Sequence, residues 1–208
     1  MGELIIVRHG ETEWSRAGRH TGRTDLPLTE RGEVEARALA QLPATRKIIR
    51  VVCSPARRAR RTAELAGLAG PAGLANIEID EDLWEWDYGG YEGRTSPEIR
   101  EERPGWYLWS DGVVPGDVEH PGEKVERVGE RADAVLARVR PSLAEGDVAL
   151  VAHGHVLRVL TARWLDLEPA AGRLFVLRTG TLSTLGTEHD RPVITSWNVP
   201  PDPLRPWR

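Results

Sequence analysis

An apolar run of four residues at positions 4–7 stops abruptly at Arg8, His9 and Gly10. Three of the four are β-branched, which predicts a short strand buried on both faces of a parallel sheet. The polar residues that follow cannot continue that burial, so the chain must leave the sheet at the carboxyl end of the strand. Open α/β sheets bind ligands at that edge. Taken alone, however, an Arg-His pair after a strand is more often a surface turn.

Two further buried strands are predicted to end in polar clusters of the same kind. Residues 48–53 are followed by a Ser-Pro-Ala-Arg-Arg segment at 54–58, and residues 147–152 are followed by His-Gly-His at 153–155. The carboxyl ends of parallel strands lie at one edge, so the three clusters are expected to converge. Two cations and two imidazoles suit a dianion, because guanidinium groups match phosphate oxygens. A neutral imidazole can also act as a nucleophile.

Segments with helical periodicity separate these strands. Residues 125–139 carry apolar side chains at helical spacing until Pro141, and Thr29 is a plausible N-cap for a helix whose apolar stripe is Ala36, Leu39, Ala40 and Leu42. Helices are also expected at 56–68 and 156–165. Strands that alternate with helices imply right-handed crossovers, and therefore a three-layer α/β fold: a mostly parallel sheet with helices on both faces.

The 208-residue length fits a single domain over 1–208. Residues 94–122 are predicted to be a small helical and loop insertion that caps the site, and residues 200–208 a Pro-rich tail on the surface. Residues 15–28 read as an ordered loop and 67–73 as a Gly/Ala/Pro loop. Short strands are expected at 77–79, 174–177 and 193–197.

Composition narrows the classes of partner. The net charge of −4 argues against nucleic acid, and neither a secretory signal nor an apolar run of membrane-spanning length is visible. The single Cys53 excludes an intrachain disulfide and suits the reducing cytoplasm, where we expect the protein to act. It is expected to be a buried apolar residue. Five of the eight tryptophans lie at position 14 or between 84 and 109, and they predict a rigid apolar wall beside the site.

The converging clusters resemble the motifs of the histidine phosphatase superfamily, which includes the cofactor-dependent phosphoglycerate mutases. The resemblance extends from residue 4 to about residue 185, and four motifs occur in the family's order. They are Arg8-His9-Gly10-Glu11-Thr12, the Ser-Pro-Ala-Arg-Arg-Ala-Arg-Arg-Thr-Ala segment at 54–63, Glu85-Trp86-Asp87-Tyr88-Gly89, and Val151-Ala152-His153-Gly154.

The resemblance implies a role for each motif residue. His9 attacks phosphorus and becomes a phosphohistidine, while Glu85 gives a proton to the leaving alkoxide and then activates water. His9 is expected to have a lowered pKa because two guanidinium groups lie beside it. No metal or other cofactor is implied, since arginines supply the positive charge. Arg8, Arg58 and His153 hold the phosphoryl oxygens, and the expected substrate contacts are Gly10, Ser15, Thr21, Gly22, Tyr88, Gly154 and His155.

Departures from the mutase pattern favour hydrolysis. Mutases carry two arginines after the tryptophan of the insertion, whereas Trp109 is followed here by Ser110 and by Asp111, an acid expected to repel a carboxylate. The family's lysine after Tyr-Gly is missing, the insertion is shorter, and His155 stands where mutases have asparagine. The chain most resembles a phosphatase branch that includes actinobacterial mutase-like acid phosphatases and sedoheptulose-bisphosphatase-type enzymes.

We therefore expect a phosphomonoesterase whose partner is a small phosphorylated metabolite, such as a sugar phosphate, or inorganic phosphate. The sequence does not decide whether the protein is a monomer or a homo-oligomer. The alternatives are a phosphoglycerate mutase and a non-catalytic module that binds phosphorylated ligands.

Several histidines and arginines also have simpler interpretations. His153 and His155 could be metal ligands, but no Cys, His or carboxylate set with ligand spacing accompanies them. His20 and His120 lie in loops and are expected to be solvated, although His120 could reach the site if the insertion folds over it. Arg61 could support Arg58, or it could lie on a solvated helix face.

Overall fold

The computed structural model describes residues 2–41, 46–68 and 77–201. Within these ranges six strands form one sheet in the order β3-β2-β4-β1-β5-β6. Strands β1 to β4 pair in parallel, and β5 and β6 add an antiparallel edge beside β1. The predicted, mostly parallel sheet is confirmed. The strands are β1 Leu4–Arg8, β2 Ile48–Cys53, β3 Glu78–Ile79, β4 Asp147–Ala152, β5 Leu182–Glu188 and β6 Arg191–Val199.

Helices cover both faces of the sheet. Leu4 and Ile6 of β1 pack into one cluster with side chains of α6 and α7, while Ile5 and Val7 join a second cluster with α3. All four strand residues are fully buried. The helices are α1 Glu13–Ala17, α2 Glu30–Ala38, α3 Arg57–Leu65, α4 Ser96–Glu102, α5 Leu108–Asp111, α6 Val125–Val139 and α7 Gly154–Trp164, with short 3₁₀ turns at Leu39–Gln41, Glu81–Leu83, Gly89–Tyr91, Arg140–Ala144 and Pro169–Leu174.

The strand register brings the polar clusters together. Arg8 is the register partner of Ala152, and Cys53 is the partner of Val151. One residue further on, the amide of His9 donates to the carbonyl of Ala152, at 3.0 Å, and the amide of Ser54 to that of Val151, at 2.9 Å. The segments that follow β1, β2 and β4 therefore leave the sheet at one edge, as predicted.

The predicted strand at 174–177 is wrong. Residues Pro169–Leu174 form a 3₁₀ turn, and the side chains of Leu174 and Val176 are exposed. The strand beside β1 is instead β5, which sequence reasoning missed because its buried residues include Ser183 and Thr184. Their hydroxyls are hydrogen-bonded to β6, so burial of this polar strand carries no unpaired group.

The insertion at 94–122 packs onto the core. It contains α4 and α5, and Trp106 and Trp109 within it are buried. The predicted loop at 15–28 is partly wrong, because α1 occupies its first residues under a capping box formed by Thr12 and Ser15.

Helix α2 is shorter on its apolar side than predicted, and parts of three predicted segments lie outside the described residues. The apolar stripe of α2 stops at Leu39, because Ala40 is exposed. Residue 42 of that stripe, residues 69–73 of the predicted loop and residues 202–208 of the tail lie outside the described residues. None of the helices in the described ranges is both long and apolar enough to cross a bilayer.

Candidate active site

The hydrogen bond made by His9 fixes the form of its imidazole. Its Nδ1 lies 2.7 Å from the carbonyl oxygen of Gly10. A carbonyl can only accept, so Nδ1 carries the hydrogen and Nε2 carries a lone pair. Burial, followed by the charges of Arg58 and Arg8, holds the His9 pKa well below its usual range, which confirms the predicted direction. The ring is therefore neutral, with Nε2 available as a nucleophile.

The backbone at Gly10, directly after β1, is held by contacts with both α2 and α3. The Gly10 amide donates to Thr62 Oγ1 at 3.1 Å, and the Thr62 hydroxyl donates to the carbonyl of Arg58 at 2.7 Å. A Cβ at position 10 would lie 2.2 Å from the carbonyl oxygen of Gly32, so only glycine fits here. Gly10 thus sits between α2 and α3 and orients the carbonyl that holds His9.

Arg8 presents a partly buried cation at the same edge. Its Nη1 donates to the carbonyl of Leu177 at 2.5 Å, whereas its Nε is buried without an acceptor among the described residues. Burial lowers the Arg8 pKa. A buried donor without a partner costs about 1–3 kcal/mol. An anion that reaches Arg8 would remove this cost.

Arg58 is fully buried and is hydrogen-bonded to the loop at residues 21–24. Its Nη1 and Nη2 donate to the carbonyls of Thr24 and Gly22, both at 2.9 Å. The amides of Gly22 and Thr24 in turn donate to the Glu92 carboxylate, at 2.9 and 3.1 Å. The loop is therefore held between a cation and an anion.

His153 has both ring nitrogens occupied. Its Nδ1 accepts from Arg58 Nε at 3.1 Å, so its hydrogen is on Nε2, which lies 2.7 Å from Ser54 Oγ. Burial, followed by the charge of Arg58, holds the His153 pKa well below its usual range. The ring lies 5.1 Å from that of His9, centroid to centroid. The contact with a phosphoryl oxygen implied by the family resemblance requires the Nε2–H to leave Ser54.

Glu85 lies against the N-terminus of α7. Its Oε1 accepts the amides of Trp86 and Val156 at 2.9 and 2.8 Å, and its Oε2 accepts the amide of His155 at 2.9 Å. Three of the four lone-pair positions of the carboxylate are thus occupied by fixed donors. The remaining position can carry one exchangeable proton.

A cavity of about 190 Å³ joins these groups. Of the predicted catalytic residues, Arg8, His9 and Glu85 line it, whereas Arg58 and His153 pack behind His9. Of the predicted substrate contacts, Gly10 and Gly22 are not in its lining; their backbone atoms hold His9 and Arg58. The lining residues are Arg8, His9, Ser15, Gly18, Arg19, His20, Thr21, Glu85, Tyr88, Gly154, His155 and Arg158.

Four lining residues were not predicted as site residues: Gly18, Arg19, His20 and Arg158. The expectation that His20 is solvated is wrong, because its ring packs 4.7 Å from that of Tyr88, and burial lowers its pKa to about 4. Arg158 follows His155 by three residues on α7, a spacing that places both on one helix face. That spacing could have identified Arg158, but the loop containing Arg19 and His20 carries no comparable signal.

Aromatic rings surround His155, as the tryptophan cluster predicted. Its ring centroid lies 5.4 Å from that of Trp109 and 6.2 Å from that of Trp86. Its Nδ1 lies 2.6 Å from the Tyr88 hydroxyl. Burial lowers the His155 pKa well below its usual range and raises that of Tyr88, so both groups are neutral.

Ser110 and Asp111 do not line this cavity. They border a larger cavity of about 500 Å³ between the insertion and the first residues of α6, and among the described residues its lining contains no histidine or arginine. The predicted repulsion of a carboxylate by Asp111 therefore has no structural basis at the His9 cavity. The site chemistry belongs to the smaller cavity, where histidines, arginines and Glu85 converge.

The structure also bears on the possible metal site and on the positions of His120 and Arg61. Among the described residues no group of three or more His, Cys, Asp or Glu side chains is arranged to hold a metal ion. His120 is held by Asp117 and lies 3.5 Å from the Thr24 hydroxyl, outside the cavity lining. Arg61 pairs with Glu33 and Glu64 on the surface.

Comparison with known proteins finds relatives in sequence and a solved structure of the same fold. An acid phosphatase of Mycobacterium tuberculosis is 41% identical over 191 residues, covering 89% of this chain and 87% of the relative. Sedoheptulose 1,7-bisphosphatase of Saccharomyces cerevisiae is 37% identical over 189 residues, covering 78% and 67%. The solved structure of an open reading frame of Mycobacterium tuberculosis superposes with a TM-score of 0.86 at 38% identity, covering 97% of this chain and 99% of that one.

The family model for the histidine phosphatase superfamily, branch 1, matches residues 4–200. This match spans all four sequence motifs and every strand of the sheet. The chain belongs to branch 1 of the histidine phosphatase superfamily.

Proposed function

We propose that this protein is a phosphomonoesterase that hydrolyses small phosphorylated metabolites, in particular sugar phosphates, through a phosphohistidine at His9. The observation that carries the proposal is the 2.7 Å hydrogen bond from His9 Nδ1 to the Gly10 carbonyl, which leaves a lone pair on Nε2 of a neutral ring. The adjacent Arg8 has a buried Nε that lacks an acceptor in the described chain. A nucleophile and an unneutralised cation at one point suit a phosphoryl group.

In the first step the Nε2 lone pair of His9 attacks phosphorus, and the bond between phosphorus and the ester oxygen breaks. Glu85, in its protonated form, transfers its proton to the departing alkoxide. The three amides on its carboxyl group hold that group in place throughout. The products of this step are the free alcohol, a phosphorylated His9 and an ionised Glu85.

In the second step water attacks the phosphohistidine. Glu85 takes a proton from the water as the new P–O bond forms and the P–N bond breaks. Inorganic phosphate leaves, the lone pair returns to His9 Nε2, and Glu85 is again protonated. Both steps use the same two side chains, so one round restores the site.

Arginines stabilise the negative charge of the transferred phosphoryl group. Arg8 lines the cavity, and Arg58 adds a buried positive charge beside His9, as its effect on the His9 pKa shows. Arginine suits this task because its guanidinium stays charged and offers several donors in one plane. We assign His153 to orienting Arg58, since its Nδ1 accepts the Arg58 Nε–H.

A small substrate suits the site and its relatives. The cavity of about 190 Å³ is below the usual range for ligand pockets of 300–1,000 Å³. One relative is named for acid phosphatase activity and another for a sugar bisphosphate. We infer that the reaction takes place in the cytoplasm, which the single, buried Cys53 suits.

Hydrolysis is favoured over isomerisation by the composition of the cavity lining. Among the described residues, the lining contains neither a lysine nor a residue of the segment after Trp109, where mutases place two arginines for the phosphoglycerate carboxylate. The absence of that lysine and of those two arginines from the lining, and not the charge of Asp111, carries this distinction, although Arg19 and Arg158 do line the cavity.

The function is tested with p-nitrophenyl phosphate in buffer without added metal. Wild-type protein is expected to release p-nitrophenol, and His9→Ala to lose activity by at least three orders of magnitude. No turnover by wild type, or equal turnover by His9→Ala, would refute the proposal. A parallel assay with 3-phosphoglycerate and 2,3-bisphosphoglycerate separates the mutase alternative, which requires isomerisation faster than phosphate release.

A further inference from the structure

We propose that a buried ion pair between Arg131 and Glu123 positions the proton donor Glu85. Neither member of the pair lines the His9 cavity, so both are positioning residues that act through Glu85. This inference rests on the proposed phosphatase function and adds two residues to its first step. The observation that carries it is a set of hydrogen bonds that join the pair to the main chain on both sides of Glu85.

Arg131 lies on the buried face of α6. Val128 and Val135 precede and follow it at helical spacing, and both are fully buried. Only 5% of the Arg131 side chain is exposed, and 9% of that of its partner Glu123. The arginine Nε and Nη2 donate to the two carboxylate oxygens at 2.7 and 2.8 Å, which makes the pair bidentate. A charged pair therefore occupies a place in the core where the helix pattern is otherwise apolar.

The third guanidinium nitrogen holds the chain before Glu85. Arg131 Nη1 donates to the carbonyls of Asp82 and Trp84, at 2.5 and 3.0 Å. The Trp84 carbonyl belongs to the peptide bond that contains the nitrogen of Glu85, and that peptide group is planar. The contact with Trp84 therefore fixes the plane from which the Glu85 backbone continues.

Glu123 holds the chain after Glu85. Its amide donates to the carbonyl of Asp87 at 3.0 Å, and its carbonyl accepts Nε1 of Trp86 at 2.7 Å. The Asp87 amide donates to Glu123 Oε2 at 3.4 Å. Because Glu123 directly follows the insertion at 94–122, these contacts also join the end of the insertion to the segment that carries Glu85.

Stability alone does not explain a charged pair at this place. Burial of two charges costs free energy, and two apolar side chains of similar volume are often equally stable. Apolar side chains, however, cannot donate to the carbonyls of Asp82 and Trp84 or accept from the Asp87 amide. What the charged pair supplies is directed hydrogen bonds to the backbone around Glu85.

The position of that backbone decides how well Glu85 transfers its proton. The Glu85 carboxyl group is bonded to amides of His155 and Val156 on α7, whereas its main chain is held from α6. Proton transfer requires the donor oxygen to lie about 2.6–3.2 Å from the leaving oxygen, and a misplacement of about 1 Å costs about 10²-fold. If the main chain shifts relative to α7, the carboxyl group either moves with it or loses an amide. Both changes impair proton transfer and leave the attack by His9 intact.

The test compares kcat/KM for benzyl phosphate and p-nitrophenyl phosphate, which carry rings of similar size. The alkoxide of benzyl alcohol needs a proton in order to leave, whereas p-nitrophenolate does not. Arg131→Met should lower kcat/KM for benzyl phosphate by about 10- to 100-fold, and that for p-nitrophenyl phosphate by no more than about threefold. Arg131→Lys keeps the charge but has one nitrogen in place of three, so it should recover only part of the loss.

Two further variants separate positioning from stability. Arg131→Met leaves the Glu123 carboxylate buried without its partner, whereas the double variant Arg131→Met/Glu123→Leu removes both charges. The double variant should resist urea better than Arg131→Met but should keep the loss that is specific to benzyl phosphate. Arg138→Met is the matched control, because Arg138 on the same helix binds the carboxylate of Asp82 at 2.7 Å with 41% of its side chain exposed. It should leave both substrates unchanged.

Other results would overturn the inference. An equal loss for both substrates in Arg131→Met means that the residue acts through its charge or through the core, which affect both leaving groups alike. Full recovery in Arg131→Lys assigns the effect to charge alone. A wild-type ratio of the two substrates in the double variant shows that Glu85 needs no ion pair, and failure of both variants to fold assigns the pair to stability.

The wild type distinguishes failure of this inference from failure of the proposed function. If wild type hydrolyses both substrates while any of these results is seen, the phosphatase function stands and the inference alone fails. If wild type hydrolyses neither substrate, the proposed function fails first.

Discussion

The Nε2 atom of His153 lies 2.7 Å from the hydroxyl oxygen of Ser54, although the two residues are separated by 99 positions in the chain. The opposite ring nitrogen accepts the Nε–H of Arg58. Arg58 therefore fixes which nitrogen of His153 carries the hydrogen, and Ser54 holds the imidazole in the orientation that accepts the hydrogen bond from this buried arginine beside the proposed nucleophile. Ser54 is a positioning residue in this account.

Ser54→Ala is expected to lower kcat/KM for p-nitrophenyl phosphate by about tenfold, equivalent to one hydrogen bond of about 1.4 kcal/mol. Without Ser54 the His153 ring loses the hydrogen bond at Nε2 that holds its orientation, so the Arg58 Nε–H loses a fixed acceptor. Ser54→Thr keeps the hydroxyl and should recover most of the activity. Steady-state kinetics on the three proteins tests this, and unchanged activity in Ser54→Ala would show that His153 needs no anchor.

Thr62→Val is expected to lower kcat by about tenfold with little change in KM. The substitution keeps the shape of the side chain but removes the acceptor of the Gly10 amide and the donor to the Arg58 carbonyl. Gly10 then holds His9 less firmly, which affects the reaction more than ground-state binding.

Thr161→Val is the matched control for Thr62→Val. Thr161 is also fully buried on a helix and donates to the carbonyl four residues before it, that of Leu157, at 2.8 Å. Its hydroxyl makes no hydrogen bond to a site residue in the described chain. Thr62→Val should lose about 1–3 kcal/mol more stability than Thr161→Val by urea denaturation, because it also leaves the Gly10 amide without its acceptor, but only Thr62→Val should lose kcat. Equal kcat in the two variants would contradict the role assigned to Thr62.

Glu85→Gln is expected to impair hydrolysis of alkyl phosphates far more than that of p-nitrophenyl phosphate. An alkoxide needs a proton in order to leave, whereas p-nitrophenolate is stable without one. Loss of general acid catalysis typically costs 10²- to 10⁴-fold. The kcat ratio of the two substrates, measured in wild type and variant with folding checked by circular dichroism, is the readout. The same fractional loss for both substrates would argue against Glu85 as the proton donor.

The free energy of unfolding is expected to fall as the pH is lowered below about 6.5. His9, His20, His153 and His155 all have lowered pKa values in the folded protein. Below the unfolded pKa of about 6.5 the unfolded chain binds protons that the folded chain excludes, so acid favours unfolding. Each such histidine costs about 1.4 kcal/mol at pH 5.5 relative to pH 7.5, and the four together cost about 5.5 kcal/mol.

Urea denaturation at pH 7.5 and pH 5.5 measures this loss. His20→Phe keeps an aromatic ring and removes one titrating group, so its loss between the two pH values should be smaller by about 1.4 kcal/mol. Equal stability of the wild type at both pH values would mean that these histidines accept protons in the folded state.

The sequence predicts the parts of the site that follow from strand ends. The apolar runs before Arg8, Ser54 and His153 are long enough to be recognised as buried strands, and parallel pairing then brings their ends to one edge. The motif order also identifies Glu85, whose carboxylate lies at the start of α7. These features depend on local pattern and on a general rule of topology.

The parts that could not be predicted depend on side-chain contacts between distant segments. The occupation of both His153 nitrogens by Ser54 and Arg58 has no signature in sequence, and neither does the burial of His20 against Tyr88. Strand β5 was missed because its buried hydroxyls are satisfied only when β6 pairs with it. The predicted repulsion of a carboxylate by Asp111 is wrong because the packing of Trp106 and Trp109 sets the path of the insertion and leaves Asp111 outside the His9 cavity.

The central claim is that His9 carries the phosphoryl group. The most direct measurement is rapid acid-free quenching of a single turnover with ³²P-labelled sugar phosphate, followed by peptide mapping. We expect a phosphorylated protein whose label is lost in acid, is stable in alkali and maps to His9, and no labelled protein from His9→Ala. Label on another residue, or hydrolysis by wild type with no labelled protein at any time, would contradict it.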